Sequence, residues 1–180
     1  MSASNTLVRA GSGFLWRLSA RRDPVRAARH LGVEVGEACR IIGLNRLTFG
    51  SEPFLISLGN HVEVTSGVRF VTHDGGVWVL REQSPDIDVF GAIRVGNNVF
   101  VGMDALILPG VTIGNNVVIG ARSVVTKDVD DNEVVAGVPA KVVSSYSDYA
   151  TRCRAAGVPT KRMSPERKRT FLQRMFNSHV

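Results

Sequence analysis

The sequence predicts an all-β fold, a parallel β-helix of hexapeptide repeats with a helical segment at each end. Three observations predict it. Val95, Val101, Ile107, Ile113, Ile119 and Val125 fall six residues apart without a break. Val99, Ala105, Val111, Val117, Ser123 and Val129 repeat that step four places later. Neither the 3.6-residue period of a helix nor the two-residue alternation of a simple strand gives this spacing. Stacked six-residue rungs do, because each buries its aliphatic residue only against its neighbours. Finally, Gly102 and Gly120, and the pairs Asn97-Asn98 and Asn115-Asn116, recur 18 residues apart, so three rungs make a coil with corners of residues that tolerate left-handed backbone.

In chain order, residues 1–32 read as a basic helical lead-in. Leu7, Val8, Phe14, Leu15, Trp16 and Leu18 form an apolar stripe beside Arg17, Arg21 and Arg22. A solenoid's open end needs a cap, which is the expected role. Contact with a membrane surface is the alternative, since basic residues beside Trp, Phe and Leu also suit an interfacial helix. The repeat domain occupies residues 33–143. Val35, Ile41 and Leu47 keep the six-residue step, Pro53 disturbs it, and Leu58, Val64 and Phe70 resume it with Val62 and Val68 as companions. Residues 76–94 leave the pattern as a protruding loop with a short strand expected at Val77 to Leu80; such excursions commonly carry specificity. Regular coils run from Val95 to Val129, and "DDNEVVAGVPAKVV" closes them. Residues 144–180 form a basic extension, in which Ser164-Pro-Glu opens a helix through Phe171, Leu172, Met175 and Phe176 that packs by its apolar edge.

With 180 residues, 44% of them hydrophobic, the chain can bury a core. No apolar run approaches the roughly 20 residues of a membrane-spanning helix. Residues 1 to 20 lack a signal peptide's uninterrupted apolar segment and cleavage site, so a cytoplasmic protein is expected. Cys39 and Cys153 have no metal-ligand spacing and read as free thiols rather than a disulfide. The net charge of +6 is unevenly held. Residues 1–32 place six arginines against Asp23, and residues 150–180 place eight lysines and arginines against Glu166, so the body between them is acidic. No groove-reading or RNA-binding signature lies there, and nucleic acid is not an expected partner. The arms read as solvated helical faces, with an anionic membrane surface or polyanionic substrate as the sharper alternative.

Coils about 4.8 Å apart set Gly102 over Gly120, Met103 over Ala121 and Asn97 over Asn115. Asn97 and Asn115 are expected as exposed corners that tolerate substitution better than the inward positions. The stacked glycines, with Ala121 beside them, also leave a bare backbone strip whose N–H and C=O groups a narrow polyamide could meet.

"IRVGNNVFVGMDALILPGVTIGNNVVIGARSVVTKDV", followed by "VVAGVPAKVV", resembles the hexapeptide-repeat acyltransferases, in particular the maltose and galactoside O-acetyltransferases, xenobiotic acetyltransferases and capsule-modifying sugar acetyltransferases. The match covers about residues 58–143. The resemblance implies a left-handed β-helix, a homotrimer, an acyl-CoA donor (acetyl-CoA here), and active sites between subunits. Carried over by position, it places the donor's pantetheine arm along Phe100, Met103 and Ala121 beside Gly102 and Gly120. The adenine and phosphate end then meets Thr126, Lys127, Pro139 and Lys141. Phe100 stands where many relatives carry Trp, and Ser144 where some carry a further Arg.

Acyl transfer to an alcohol needs a base and donors for the developing oxyanion. Of four histidines, His30, His61 and His179 read as structural or solvent-facing. His73, in "FVTHDGG" where the hexads stop, occupies the position that resembles the family's catalytic base. The group that orients it is left open among Asp74, Asp86, Asp88 and a backbone carbonyl, and Gly75 and Gly76 allow the chain to turn away, with a backbone N–H of this stretch as an oxyanion donor. Direct transfer needs no acyl-cysteine. No metal is expected, because a zinc site needs convergent histidines and His61 and His73 are two rungs apart. Trp78 and Phe90 are candidates to stack on a sugar ring or to pin the loop, and Glu82, Asp86 and Asp88 to hold its hydroxyls or an amine. The function expected is transfer to a saccharide hydroxyl. Amino-sugar N-acetylation is the enzymatic alternative, and a non-catalytic trimeric scaffold is the alternative of another class.

Overall fold

The computed structural model describes residues 22–177. The apolar stripe from Leu7 to Leu18, with Arg17 and Arg21, and His179 lie outside the described residues. Helix α1 spans Pro24–Leu31. Asp23 caps it by accepting from the Arg26 N–H at 2.9 Å, Pro24 stands in the first turn, and Gly32 ends it at φ 104°. Ala27 and Ala28 are buried and Val25 packs on the core, so the helix lies over the first coil. The Arg29 guanidinium fastens it by donating to the Val35 and Gly36 carbonyls at 2.8 and 2.9 Å.

The chain then passes in turn through three sheets. The first holds β1 (Glu34–Val35), β3 (Ile56–Leu58), β6 (Ile93–Val95) and β9 (Thr112–Ile113). The second holds β2 (Arg40–Ile41), β4 (Val62–Val64), β7 (Val99–Val101), β10 (Val117–Ile119) and β12 (Glu133–Ala136), and the third holds β5 (Arg69–Phe70), β8 (Leu106–Ile107) and β11 (Val124–Val125). All of these pairings are parallel. Strand β13 (Lys141–Ser145) folds back antiparallel on β12 and ends the stack. All twelve positions of the two six-residue series from Val95 to Val129 are buried, Ser123 among them.

Val99 lies under Val117 and Leu106 under Val124, an 18-residue register. Earlier coils are longer. Arg40 pairs with Glu63, 23 residues on, and Val62 with Val99, 37 residues on. Both excesses leave the stack at the corner between the third and first sheets, on successive coils.

At the corner between the first and second sheets, two columns of side chains run along the stack. In one, Asn60 accepts from the Glu37 N–H, Asn97 from the Asn60 N–H, Asn115 from the Asn97 N–H and Asp131 from the Asn115 N–H, at 2.8, 2.8, 2.9 and 2.6 Å. In the other, His61 Nδ1, Asn98, Asn116 and Asn132 are joined at 2.8, 2.8 and 2.9 Å. All four residues of that second column have positive φ. Asn97 is exposed at its corner as expected and Asn115 is half-buried, and both are bonded members of a ladder. The Asn115 backbone N–H, with its side-chain amide, holds Asp131 below the usual carboxylate range.

Three further expectations change. Leu47 is 58% exposed; Thr48 and Phe49 are buried instead, because a turn in the first coil shifts the inward position and stacks Phe49 on Phe70 at 5.4 Å. The strand expected at Val77 to Leu80 is a 3-10 helix, Gly75–Leu80, whose N-terminus Asp74 caps by accepting from the Gly76 N–H. The excursion also leaves earlier and returns earlier than 76–94, for its base is zipped by the His73–Phe90 bridge, by Asp74 N–H to the Val89 carbonyl and by Gly91 N–H to the Thr72 carbonyl.

Two compact units divide at Ser147 and Asp148. The C-terminal stretch carries α2 (Tyr146–Ala156), which the hexad pattern did not signal, and α3 (Pro165–Asn177). Neither helix has a fully buried residue, and on the apolar edge of α3 Leu172 and Met175 are half-buried. Among the described residues no helix is long and apolar enough to cross a membrane.

Val117 is fully enclosed. Val117→Asp is expected to abolish soluble folded protein, through loss of burial worth about 1.5–3 kcal/mol and addition of an unpaired carboxylate. Asn115→Ala is expected to fold with a lower Tm, by about 1 kcal/mol of lost ladder bonding. Thermal melts of the two variants check both the inward register and the ladder.

Candidate functional site

His73 stands where the third sheet ends on the second coil, and Glu52 where the same edge ends on the first. Pro53 breaks the rung there and opens the 3-10 turn Pro53–Leu55, leaving Glu52 just before it. Glu52 Oε2 accepts from the buried Thr72 hydroxyl at 2.7 Å and lies 2.9 Å from His73 Nδ1. The His73 hydrogen bond comes first among the causes that hold Glu52 below the usual carboxylate range, with help from Thr72 and Ser51 and against the opposing effect of burial. An ionised carboxylate only accepts, so Nδ1 carries the proton and Nε2 of the neutral ring keeps its lone pair. The His73 side chain is 44% exposed and that of Glu52 19%, which suits a base open to an acceptor and an orienting group sheltered behind it.

None of the orienting groups foreseen from sequence fills that place. Asp74 caps the 3-10 helix, and Asp88 is held by Arg81. The Gly76 N–H, donated to Asp74, is also spent as an oxyanion donor. Asp86 and Glu82 are exposed on the loop. Phe90 sets its ring edge-on to His73 at 6.3 Å, while Trp78 is 76% exposed. Glu52 itself was missed. Its signal was Pro53, a break in the hexads one coil before the break at His73.

The expected donor-binding residues fall on two sides of the third sheet. Phe100 projects from β7 between Glu63 and Val118 and is 40% exposed. It lines a groove of about 330 Å³ with Arg40, His61, Asn98 and Tyr146. Met103 and Ala121 are exposed at the adjoining corner on successive coils, and the Arg122 N–H donates to the Met103 carbonyl at 2.7 Å. Pro139, within the closing turn, and Lys141, opposite Ala136 on β13, continue that corner upward. Thr126 and Lys127 lie at the other corner, the one that carries His73, two coils above it. Lys127 and Lys141 are both exposed.

The glycine strip is not bare. Gly102 and Gly120 donate their N–H groups to the Ile119 and Val135 carbonyls at 2.9 and 2.8 Å, and a Cβ on Gly102 would come within 2.5 Å of the Ala121 nitrogen. These glycines let coils approach, and their amides are not offered to a ligand. His61 Nδ1 is engaged in the corner ladder and His30 lies exposed in α1, so neither approaches His73's chemistry. Cys39 and Cys153 are free thiols, and among the described residues no cluster of potential metal ligands occurs.

Residues 92–127 match the family model described as bacterial transferase hexapeptide, six repeats. Protein CapG of Staphylococcus aureus is 53% identical over 151 residues, covering 84% of this chain and 88% of CapG. The chain belongs to the hexapeptide-repeat acyltransferase family. Within that family it is 55% identical over 97 residues to the galactoside O-acetyltransferase of Escherichia coli K12, covering 54% of this chain and 47% of that protein, so it spans about half of that relative's length. The crystal structure of a maltose O-acetyltransferase from Clostridium difficile 630 superposes with a TM-score of 0.53 at 25% identity, covering 76% of this chain and 85% of that one.

The depressed pKa of Glu52 fixes a sign. The stability it confers is full above the unfolded value near 4.3 and is lost as pH falls through the lower folded value. The Tm of wild type is therefore expected to exceed that of Glu52→Gln most clearly near neutrality, with the gap closing in acid. Melts from pH 7 to pH 3 measure it.

Proposed function

We propose that this acyltransferase moves an acetyl group from acetyl-CoA directly to a hydroxyl of a saccharide, with His73 as general base. The observation that carries the reading is the Glu52–His73–Thr72 arrangement at an edge of the coil stack. His73 Nε2 takes the hydroxyl proton while Glu52 steadies the imidazolium. The acceptor oxygen attacks the thioester carbonyl, and the tetrahedral intermediate collapses with departure of the CoA sulfur, to which the imidazolium returns the proton. Saccharide as acceptor is supported by the galactoside O-acetyltransferase relative, by Phe90 standing exposed beside the base, and by Trp78 exposed on the same excursion.

We infer a left-handed winding and a homotrimer with active sites between subunits, as the family resemblance implies. Two features support the trimer. Phe54 on the first insertion, and Trp78, Val79, Leu80, Val89 and Phe90 on the second, are exposed apolar side chains on the two segments that leave the stack at the His73 corner. In addition, the third sheet separates His73 from Met103 and Ala121, so within one chain the base and the pantetheine residues stand at different corners, with Thr126 and Lys127 on the His73 side. Pantetheine along Phe100, Met103 and Ala121, with phosphates toward Lys127 and Lys141, uses side chains that are exposed and mobile point charges suited to phosphate. The basic segments flank a catalytic body, residues 33–143, and a reducing, cytoplasmic setting accords with the two free thiols.

His73→Ala is expected to lower kcat by about 10²–10⁴-fold, the usual range for loss of a general base, with acetyl-CoA binding retained; turnover near that of wild type contradicts the mechanism. Ala121→Trp is expected to block the donor sterically at any ionic strength. Lys141→Ala is expected to weaken CoA binding through the phosphate in a salt-dependent way. Calorimetry with CoA and dephospho-CoA distinguishes the two, and equal binding of both by wild type, with no loss in Lys141→Ala, removes the lysine from the site.

A further inference from the structure

Arg69 lies on the strand that leads into His73. The N–H groups of Arg69 and Val71 donate to the Ala105 and Ile107 carbonyls at 3.0 and 2.9 Å, so the chain stays in strand register up to the site. Burial alternates along it: Arg69 is exposed, Phe70 buried, Val71 half-buried, Thr72 buried and His73 half-buried. Arg69, Val71 and His73 thus share one outward face, with the first and last Cα atoms about 13 Å apart along the strand. An outstretched guanidinium and one sugar ring together bridge that span.

The charge on Arg69 is not neutralised nearby. Among the described residues it has no hydrogen bond or ion pair from its side chain, and the residue opposite it on the next coil is Leu106, half-buried, with Leu108 beyond. Acids near this strand and at the site are engaged elsewhere: Asp104 by Arg122 at 3.7 Å, Glu52 by His73 and Thr72, Asp74 by the Gly76 N–H, Asp88 by Arg81. Lys127, assigned to the donor's phosphates, stands two coils higher at the His73 corner, and Lys141 is on the closing strand. A guanidinium over an apolar shelf is a strong, directional site for a carboxylate or phosphate.

Resting on the proposed saccharide O-acetylation, we propose that Arg69 selects an anionic acceptor, a sugar whose carboxylate or phosphate lies about one ring from the hydroxyl that His73 deprotonates. The test uses matched sugars: glucose, galactose and mannose against their uronates and 6-phosphates, with wild type, Arg69→Gln and Arg69→Lys. The expected result is that wild type prefers an anionic member of a pair, and uronates against phosphates identify which anion. Arg69→Gln should lower kcat/KM for that sugar about 10- to 100-fold, the range of one charged hydrogen-bonding contact. Its neutral partner and the KM for acetyl-CoA should be unchanged, and Arg69→Lys should restore part of the loss. Equal use of neutral and anionic sugars, a preference that survives Arg69→Gln, or an effect on acetyl-CoA instead overturns the inference while leaving His73-dependent transfer intact. No His73-dependent transfer to any of these sugars by wild type overturns the saccharide reading and this inference with it.

Discussion

The parallel backbone ladder between successive coils is the interaction on which the rest of the molecule depends. Each coil's N–H groups reach the carbonyls of the next, as Gly102 reaches Ile119 and Gly120 reaches Val135. This fixes an 18-residue repeat in the regular coils. Inward aliphatics then stack in columns, and corner asparagines bond in columns of their own. The ladder leaves a strip of the chain free to depart only at corners, because departure within a strand would leave its amides unpaired.

Both long departures occur at the same corner on successive coils. The first delivers Glu52 and the second begins at His73, so ordinary coil spacing brings a carboxylate to an imidazole from positions 21 residues apart. The scaffold therefore supplies what a histidine needs to act as a base: a fixed tautomer, a neighbour for the imidazolium and partial exposure. Arg69 gains its place from the same regularity, since strand alternation turns it to the face of His73.

Much of the fold was legible because period six is written in the residue types themselves, and every inward position from Val95 to Val129 is buried as that period requires. Legibility failed where side chains, rather than spacing, decide. Leu47 kept the step by number but lost its inward place to Phe49, whose ring stacks on Phe70. Val77 to Leu80 have strand-forming composition, yet Asp74 and two glycines start a 3-10 turn there. His73 was singled out by sequence, whereas Glu52 was not, because its contact is made across coils and no local motif encodes it. The glycines were read as an open strip when their amides belong to the ladder.

The central claim is that Glu52 acts through His73. A double-mutant cycle of Glu52→Gln and His73→Ala, read in kcat for acetyl transfer, tests it most directly. The account predicts that Glu52→Gln slows the wild-type enzyme but slows the His73→Ala enzyme no further. Losses that multiply in the double variant would contradict it, since they would make Glu52 an independent contributor.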